Sequence, residues 1–248
     1  MKIAVCISQV PDTTTKVKIG SDGRSIDSSG VTYIINPYDE FGVEEALKLK
    51  EKNGGETIAI SVGKDAVKET IRKAFAMGID KGILIKTDAE MDSYTIAKNL
   101  ADVLKELNPE IVFFGKQSID YDDSQVGGLV AEFLGLPSIN VVVDLSIDGN
   151  NVTAEREIEG GKEIVSASLP VIICAQKGLN NPRYPNLKGI MQAKSKPIEE
   201  RQPTYAENKS EVISMKMPKP KAKGKIVGTD ATAASELVKL LREEAKII

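Results

Sequence analysis

The sequence predicts an α/β fold built on a largely parallel sheet, and two observations predict it. From the N-terminus onward, short β-branched runs alternate regularly with segments whose apolar residues recur at helical spacing. The chain is also long enough: 248 residues, 41% hydrophobic and 28% charged, suffice for one large core or for a domain with a substantial appendage.

The elements follow in order. Ile3 to Ile7 reads as the first strand, and after an irregular stretch rich in Thr, Ser, Gly and Asp, Asn36-Pro37-Tyr38-Asp39 introduces a helix. Val43, Ala46 and Leu47 share a face of that helix, Asp39 is expected to cap it, and Gly54 to stop it. Thr57 to Val62 is the next strand; Val67, Ile71, Ala74 and Phe75 line one side of the helix after it, which Gly78 ends. Gly82 to Lys86 is the third strand, and Ser93 to Leu107 the third helix, with Ile96, Leu100, Val103 and Leu107 facing inward. Ile111 to Phe114 is the fourth strand. The loop Gly115-Lys116-Gln117-Ser118-Ile119-Asp120-Tyr121-Asp122-Asp123-Ser124 leads to a helix striped by Val126, Leu129, Val130, Phe133 and Leu134.

Beyond Gly135 the texture changes. Ser138 to Ile147, Val152 to Ile158 and Glu163 to Ser168 read as hairpin strands joined at Gly149-Asn150 and Gly160-Gly161, and Leu169 to Ala175 re-enters the core. Asn180-Asn181-Pro182 opens an irregular segment. Pro203, Pro218 and Pro220 with Lys216, Lys219, Lys221, Lys223 and Lys225 then make an extended basic arm unable to pack a core alone. Leu237, Leu240 and Leu241 give the terminal helix, Ser235 to Ala245, a narrow apolar face suited to docking on another chain.

Composition narrows the chemistry. With 33 Lys and Arg against 36 Asp and Glu, no global positive field exists to hold a nucleic acid. The chain has no histidine, so a Ser-His-Asp triad, a Cys-His pair and a histidine general base are all impossible within it. Cys6 and Cys174 stand far apart in apolar runs and read as buried thiols; no metal site is expected. No run approaches a membrane span and no signal peptide is visible, so a reduced, cytoplasmic, soluble protein is expected.

In an open α/β sheet ligands gather at the carboxyl ends of the strands, where helix N-termini offer unpaired N–H groups. Cys6, Val62 and Gly115 fall at such ends. Gly115 permits close approach, Lys116 supplies charge, and Ser124, Gln125 and Val126 supply donors for a phosphate. Neither a Walker A loop nor a Gly-x-Gly-x-x-Gly motif is present. The same loop has a purely local reading: Asp120, Asp122 and Asp123 are acids that a helix start favours, and they would repel a phosphate. Asn36 to Asp39 is equally readable as a helix-starting turn. The residues alone thus reach a nucleotide-binding α/β domain with a docking arm.

Three blocks carry a more specific signal: Gly115-Lys116-Gln117-Ser118-Ile119-Asp120, then Glu155-Arg156-Glu157-Ile158-Glu159-Gly160-Gly161, then Asn181-Pro182-Arg183-Tyr184 with Ile190-Met191-Gln192-Ala193-Lys194. With Asn36-Pro37-Tyr38-Asp39 and Val43-Glu44-Glu45-Ala46 as a fourth, the sequence resembles the β subunit of electron transfer flavoprotein from Met1 to the terminal helix. The resemblance implies a Rossmann-like parallel sheet of the adenine-nucleotide-binding type with a β-hairpin region and an extended C-terminal arm ending in a helix. It divides the chain into a nucleotide-binding domain at 1–178, a partner recognition loop and helix at 179–202, and an arm docking on the α subunit at 203–248.

The implied role is an electron carrier subunit rather than a catalyst in its own right. It pairs with an α subunit that holds most of the FAD, collects electrons from acyl-CoA and related dehydrogenases and passes them to electron transfer flavoprotein-quinone oxidoreductase, with no membrane insertion. The implied nucleotide site comprises Cys6, Asn36, Pro37, Tyr38, Asp39, Val62, and Gly115, Lys116, Gln117, Ser118, Ile119, Asp120, Tyr121, Asp122, Asp123, Ser124, Gln125 and Val126. Its occupant is expected to be AMP; in the electron-bifurcating, NADH-oxidising branch a second FAD takes that place. Tyr121 is bulky where that branch often carries Gly, which favours AMP, whereas Gln9-Val10-Pro11-Asp12-Thr13 is familiar from the bifurcating branch. Some members carry an aromatic near the flavin where Thr13 stands. Leu187 matches the recognition loop's anchoring leucine, Arg183 and Tyr184 belong to that partner-binding region, and Glu157 matches an acid thought to release the flavin domain. A rival of another class is a stand-alone adenine-nucleotide-binding regulator or hydrolase.

Overall fold

The computed structural model describes residues 1–221 and 223–248. Among the described residues, nine strands form one sheet. At its centre, β1 (Lys2–Cys6) lies parallel between β4 (Glu56–Gly63) and β6 (Ile111–Gly115). Outward on one side come β5 (Lys81–Lys86) and β11 (Glu199–Arg201); on the other come β10 (Val171–Ala175) and β7 (Ser138–Asp148), all parallel. The expected parallel α/β sheet is therefore present.

Helices cover both faces, as parallel strands require. Alternation along β1 sends Ile3 and Val5 to one face, where α1 (Pro37–Asn53) contributes Val43, Ala46 and Leu47 and α2 (Lys68–Met77) contributes Ile71 and Phe75. Ala4 and Cys6 face the opposite side, against Leu100 and Leu104 of α3 (Ser93–Leu107) and Val130 of α4 (Val126–Leu134). Cys6 and Cys174 are buried free thiols, as their apolar runs suggested.

The hairpin region is continuous with the sheet. The first half of β7 pairs parallel with β10, and its second half pairs antiparallel with β8 (Asn151–Ile158), which pairs with β9 (Gly161–Ser168). Val141, at φ 62°, has no partner where Asn140 and Val142 pair with Cys174 and Ala175, a bulge that re-aims the strand. Three elements escaped the sequence reading: the short antiparallel ribbon of β2 (Gln9–Pro11) and β3 (Tyr33–Ile35), and β11 at the sheet edge. Each spans three residues, too few to register a period.

The C-terminal part begins on the body. Asn99, 1% exposed on α3, accepts from the amides of Thr204 and Tyr205 at 2.7 and 3.1 Å and donates to the Tyr205 carbonyl at 2.7 Å. The amides of Lys209 and Ser210 both donate to Asp92 at 2.7 Å. The start of the expected partner-docking arm is thus held by the chain's own α3. Further on, α6 (Ala233–Glu243) has no buried residue. No described helix is long and apolar enough to cross a membrane, and no group of described residues is arranged to hold a metal.

Candidate functional site

Beyond β1 the chain passes through α1 to β4 on one side, whereas beyond β6 it passes through α4 to β7 on the other. The carboxyl ends of β1 and β6 therefore flank the crevice where connections diverge, the position at which open α/β sheets take ligands. The structure brings the two sequence-predicted loops together there. Asn36 donates from Nδ2 to the Gln117 carbonyl at 2.8 Å and accepts from the Ile119 amide at 3.3 Å. Lys116 Nζ stands 4.9 Å over the Tyr38 ring. Cys6 lies buried at the end of β1, and half-buried Val62 near the end of the adjacent β4.

Asp39 departs from its expected role. Pro37 opens α1 and Asn36 precedes it without a side-chain cap, while Asp39 turns inward to join strand ends. Its Oδ2 accepts from the Ser8 amide at 2.7 Å, and its Oδ1 from the Gly115 amide at 2.9 Å and from Asn36 Nδ2 at 3.0 Å. Gly115 is required by this closeness, since a Cβ there would lie 2.5 Å from Asp39 Oδ1. Burial pushes the Asp39 carboxyl up to about 7, against those three donors, which favour the anion. Burial, with the neighbouring Asp39 adding to it, also raises both thiols, Cys174 to about 12. Neither thiol is a nucleophile in this setting.

The loop after β6 is shaped for an anion. Asp122 and Ser124 have φ of 55° and 51°, and Gln125 returns to φ −101°, ψ −36°. A left-handed residue followed by a right-handed one turns successive N–H groups to one side, and here they meet the N-terminus of α4. Among the described residues, the amides of Ser124 through Gly128 have no acceptor. The acids that would repel a phosphate are engaged by their own donors. Asp122 accepts from Gln117 Nε2 at 2.5 Å, Asp123 from Ser93 Oγ, and Asp120 from the Tyr121 amide at 3.0 Å. The donor set thus fits a nucleotide phosphate.

A second group of predicted residues lies across α1. An apolar cleft of about 870 Å³, lined by Tyr38, Phe41, Met77, Pro182, Tyr184 and Ile190, shares Tyr38 with the crevice and has Thr13 on its wall. Tyr184 is 96% exposed, and Leu187, the first residue of α5 (Leu187–Ser195), is 82% exposed. Arg183 instead turns back onto α1: Nε and Nη2 meet Glu44 at 2.8 and 3.0 Å, and Nη1 meets Glu51 at 2.5 Å. Glu157 is exposed on β8 and accepts from Gln176 at 3.0 Å. Sequence reasoning missed Ser8, Ser93 and Glu51, whose contacts span 31, 30 and 132 residues; no local spacing encodes them.

The family described as Electron transfer flavoprotein domain matches residues 24–206. The chain is 39% identical to the electron transfer flavoprotein subunit beta of Syntrophomonas wolfei, covering 100% of this chain and 98% of that one. It is likewise 39% identical to that of Bacillus subtilis over the whole of both chains, and 35% identical to that of Homo sapiens over 100% of this chain and 99% of the human one. A family match over most of the chain, with relatives aligned over all of it, leads to one assignment: the chain belongs to the electron transfer flavoprotein family, as a β subunit.

Proposed function

We propose that this β subunit pairs with an α subunit carrying FAD, holds a structural AMP in the crevice between Asn36–Asp39 and Gly115–Val126, and mediates transfer from acyl-CoA and related dehydrogenases to a quinone oxidoreductase. The observation that carries the nucleotide assignment is the row of amides without acceptors from Ser124 to Gly128. These groups bind a phosphate by backbone donation, and Asn36 and Asp39 hold the two loops at fixed separation. The FAD supplies the redox chemistry when bound. The chain's own part is to shape the cleft beside Tyr38. Leu187 docks the dehydrogenase by entering an apolar groove, and the arm with α6 clasps the α subunit.

A second reading, the electron-bifurcating type with another FAD in place of AMP, is favoured by one observation. Tyr121 is 70% exposed, so packing does not fix its bulk across the crevice. The deciding experiment co-expresses the chain with the α subunit, denatures the purified complex and quantifies released nucleotides. One AMP and one FAD per heterodimer supports the carrier reading; two FAD without AMP supports bifurcation. Failure to co-purify would overturn the proposed pairing with the α subunit.

A further inference from the structure

The segment from Leu179 to Lys196 presents Tyr184, Leu187 and Met191 to solvent at 96%, 82% and 73% exposure. A flexible segment carrying such side chains would lose conformational freedom on binding and would bind more weakly for it. This segment is instead fixed at both ends. At the first, Asn180 Nδ2 donates to the Phe41 carbonyl and to Glu45, both at 2.9 Å. Next to it the Arg183 guanidinium forks across Glu44 and Glu51, seven residues apart and therefore on one face of α1. The Arg183 amide adds a bond to Glu44 at 3.0 Å, so backbone and side chain are held by one carboxylate that is itself only 6% exposed.

At the second end, Arg72 of α2 donates from Nη1 to the carbonyls of Ala193 and Lys194 at 2.8 and 2.9 Å. These are carbonyls that the last turn of α5 leaves without helical partners. Lys196 reaches the Ile79 carbonyl at 2.7 Å and lies over the Phe75 ring. In between, Asn186 caps α5 by accepting from the Gly189 amide at 2.7 Å, and α5 approaches α2 so closely that a Cβ on Gly189 would lie 2.5 Å from the Ala76 carbonyl.

We infer that Arg183 and Arg72 are positioning residues that hold the exposed apolar segment in its docking shape, and that Arg183 acts on the dehydrogenase through this segment rather than by touching it. The inference rests on the docking role proposed for Leu187. It departs from the sequence expectation, in which Arg183 belonged to the contact surface itself. Lysine cannot replace Arg183, because a single ammonium cannot reproduce the guanidinium fork across Glu44 and Glu51.

The test uses the flavin-loaded heterodimer as the varied substrate of an acyl-CoA dehydrogenase, with amide hydrogen exchange of residues 184–194 as the second readout. Arg183→Lys and Arg72→Met are each expected to raise KM about tenfold, to leave kcat within about twofold, and to speed exchange in the segment. Glu51→Gln, which leaves the buried Glu44 contact in place, covers the case in which Arg183→Lys does not fold; it should raise KM about threefold with the same change in exchange. Leu187→Ala should raise KM with exchange unaltered. Faster exchange with unchanged KM would overturn the inference, and so would a raised KM with unchanged exchange, which would make Arg183 a direct contact. An unchanged KM in Leu187→Ala would sink the docking reading itself, separately from the exchange result.

Discussion

Asp39 combines a structural and an electrostatic burden in one side chain. Its two oxygens close the gap between the ends of β1 and β6, and its burial makes the ionised form costly. The folded chain retains this proton up to about pH 7, whereas the unfolded chain releases it near 3.8. The native state then binds more protons across that interval, so this contribution is complete below pH 3.8 and declines as the pH rises to 7. Three pK units correspond to at most about 4 kcal/mol. Asp39→Asn removes the titration and leaves either the Ser8 or the Gly115 amide without an acceptor, at a cost of about 1–3 kcal/mol. Urea unfolding of both proteins from pH 4 to 8 should give a falling curve for the parent and a flatter one for the variant; parallel curves would exclude Asp39 as the source. The sequence marked Asp39 because it follows Asn-Pro at a helix start, which is local information. That it faces two strand ends rather than its own helix depends on partners 31 and 76 residues away, and no spacing rule reaches them.

Helix α4 illustrates how an element is placed by what it lacks. A Cβ on Gly127 would lie 2.4 Å from Cys174 Sγ, so the first turn of α4 sits directly on β10, and its free amides are held at the crevice. One residue on, Gly128 meets nothing within 4 Å. Gly127→Val should destabilise the body by about 1–3 kcal/mol and lower the nucleotide retained per heterodimer, whereas Gly128→Ala should be neutral or slightly stabilising. Melting curves and nucleotide content of the two variants decide it, and equal behaviour would show that close packing of α4 is unimportant. Most of the elements were legible in the sequence because strands and helices of six or more residues display their period, as in Ile96, Leu100 and Val103 along α3. The double use of β7 was not. Ser138 to Ile147 alternates like a hairpin strand, and only the register with β10 reveals that its first half belongs to the parallel sheet.

At the scale of the whole molecule, body and terminal helix are distinct in how they are held. Bonds from α3 and from the turn at Gly23 and Arg24 reach the C-terminal segment as far as Met215, whereas α6 has no buried residue and leaves Leu237 and Val238 half exposed. Removing residues 226–248 should therefore leave the melting temperature of the isolated chain within about 2 °C while abolishing co-purification with the α subunit. A large fall in melting temperature would mean that α6 supports the body. The strand order carries a further implication, concerning time. β1 precedes both of its neighbours in the sheet, which begin at Glu56 and Ile111, and Asn36 finds Gln117 and Ile119 only after 81 and 83 further residues. During synthesis the central strand has no completed neighbourhood until β6 has emerged, so the crevice cannot close before that point. The nucleotide proposed for this crevice would meet its full set of donors only after that point, and once bound would lend the fold stability by mass action.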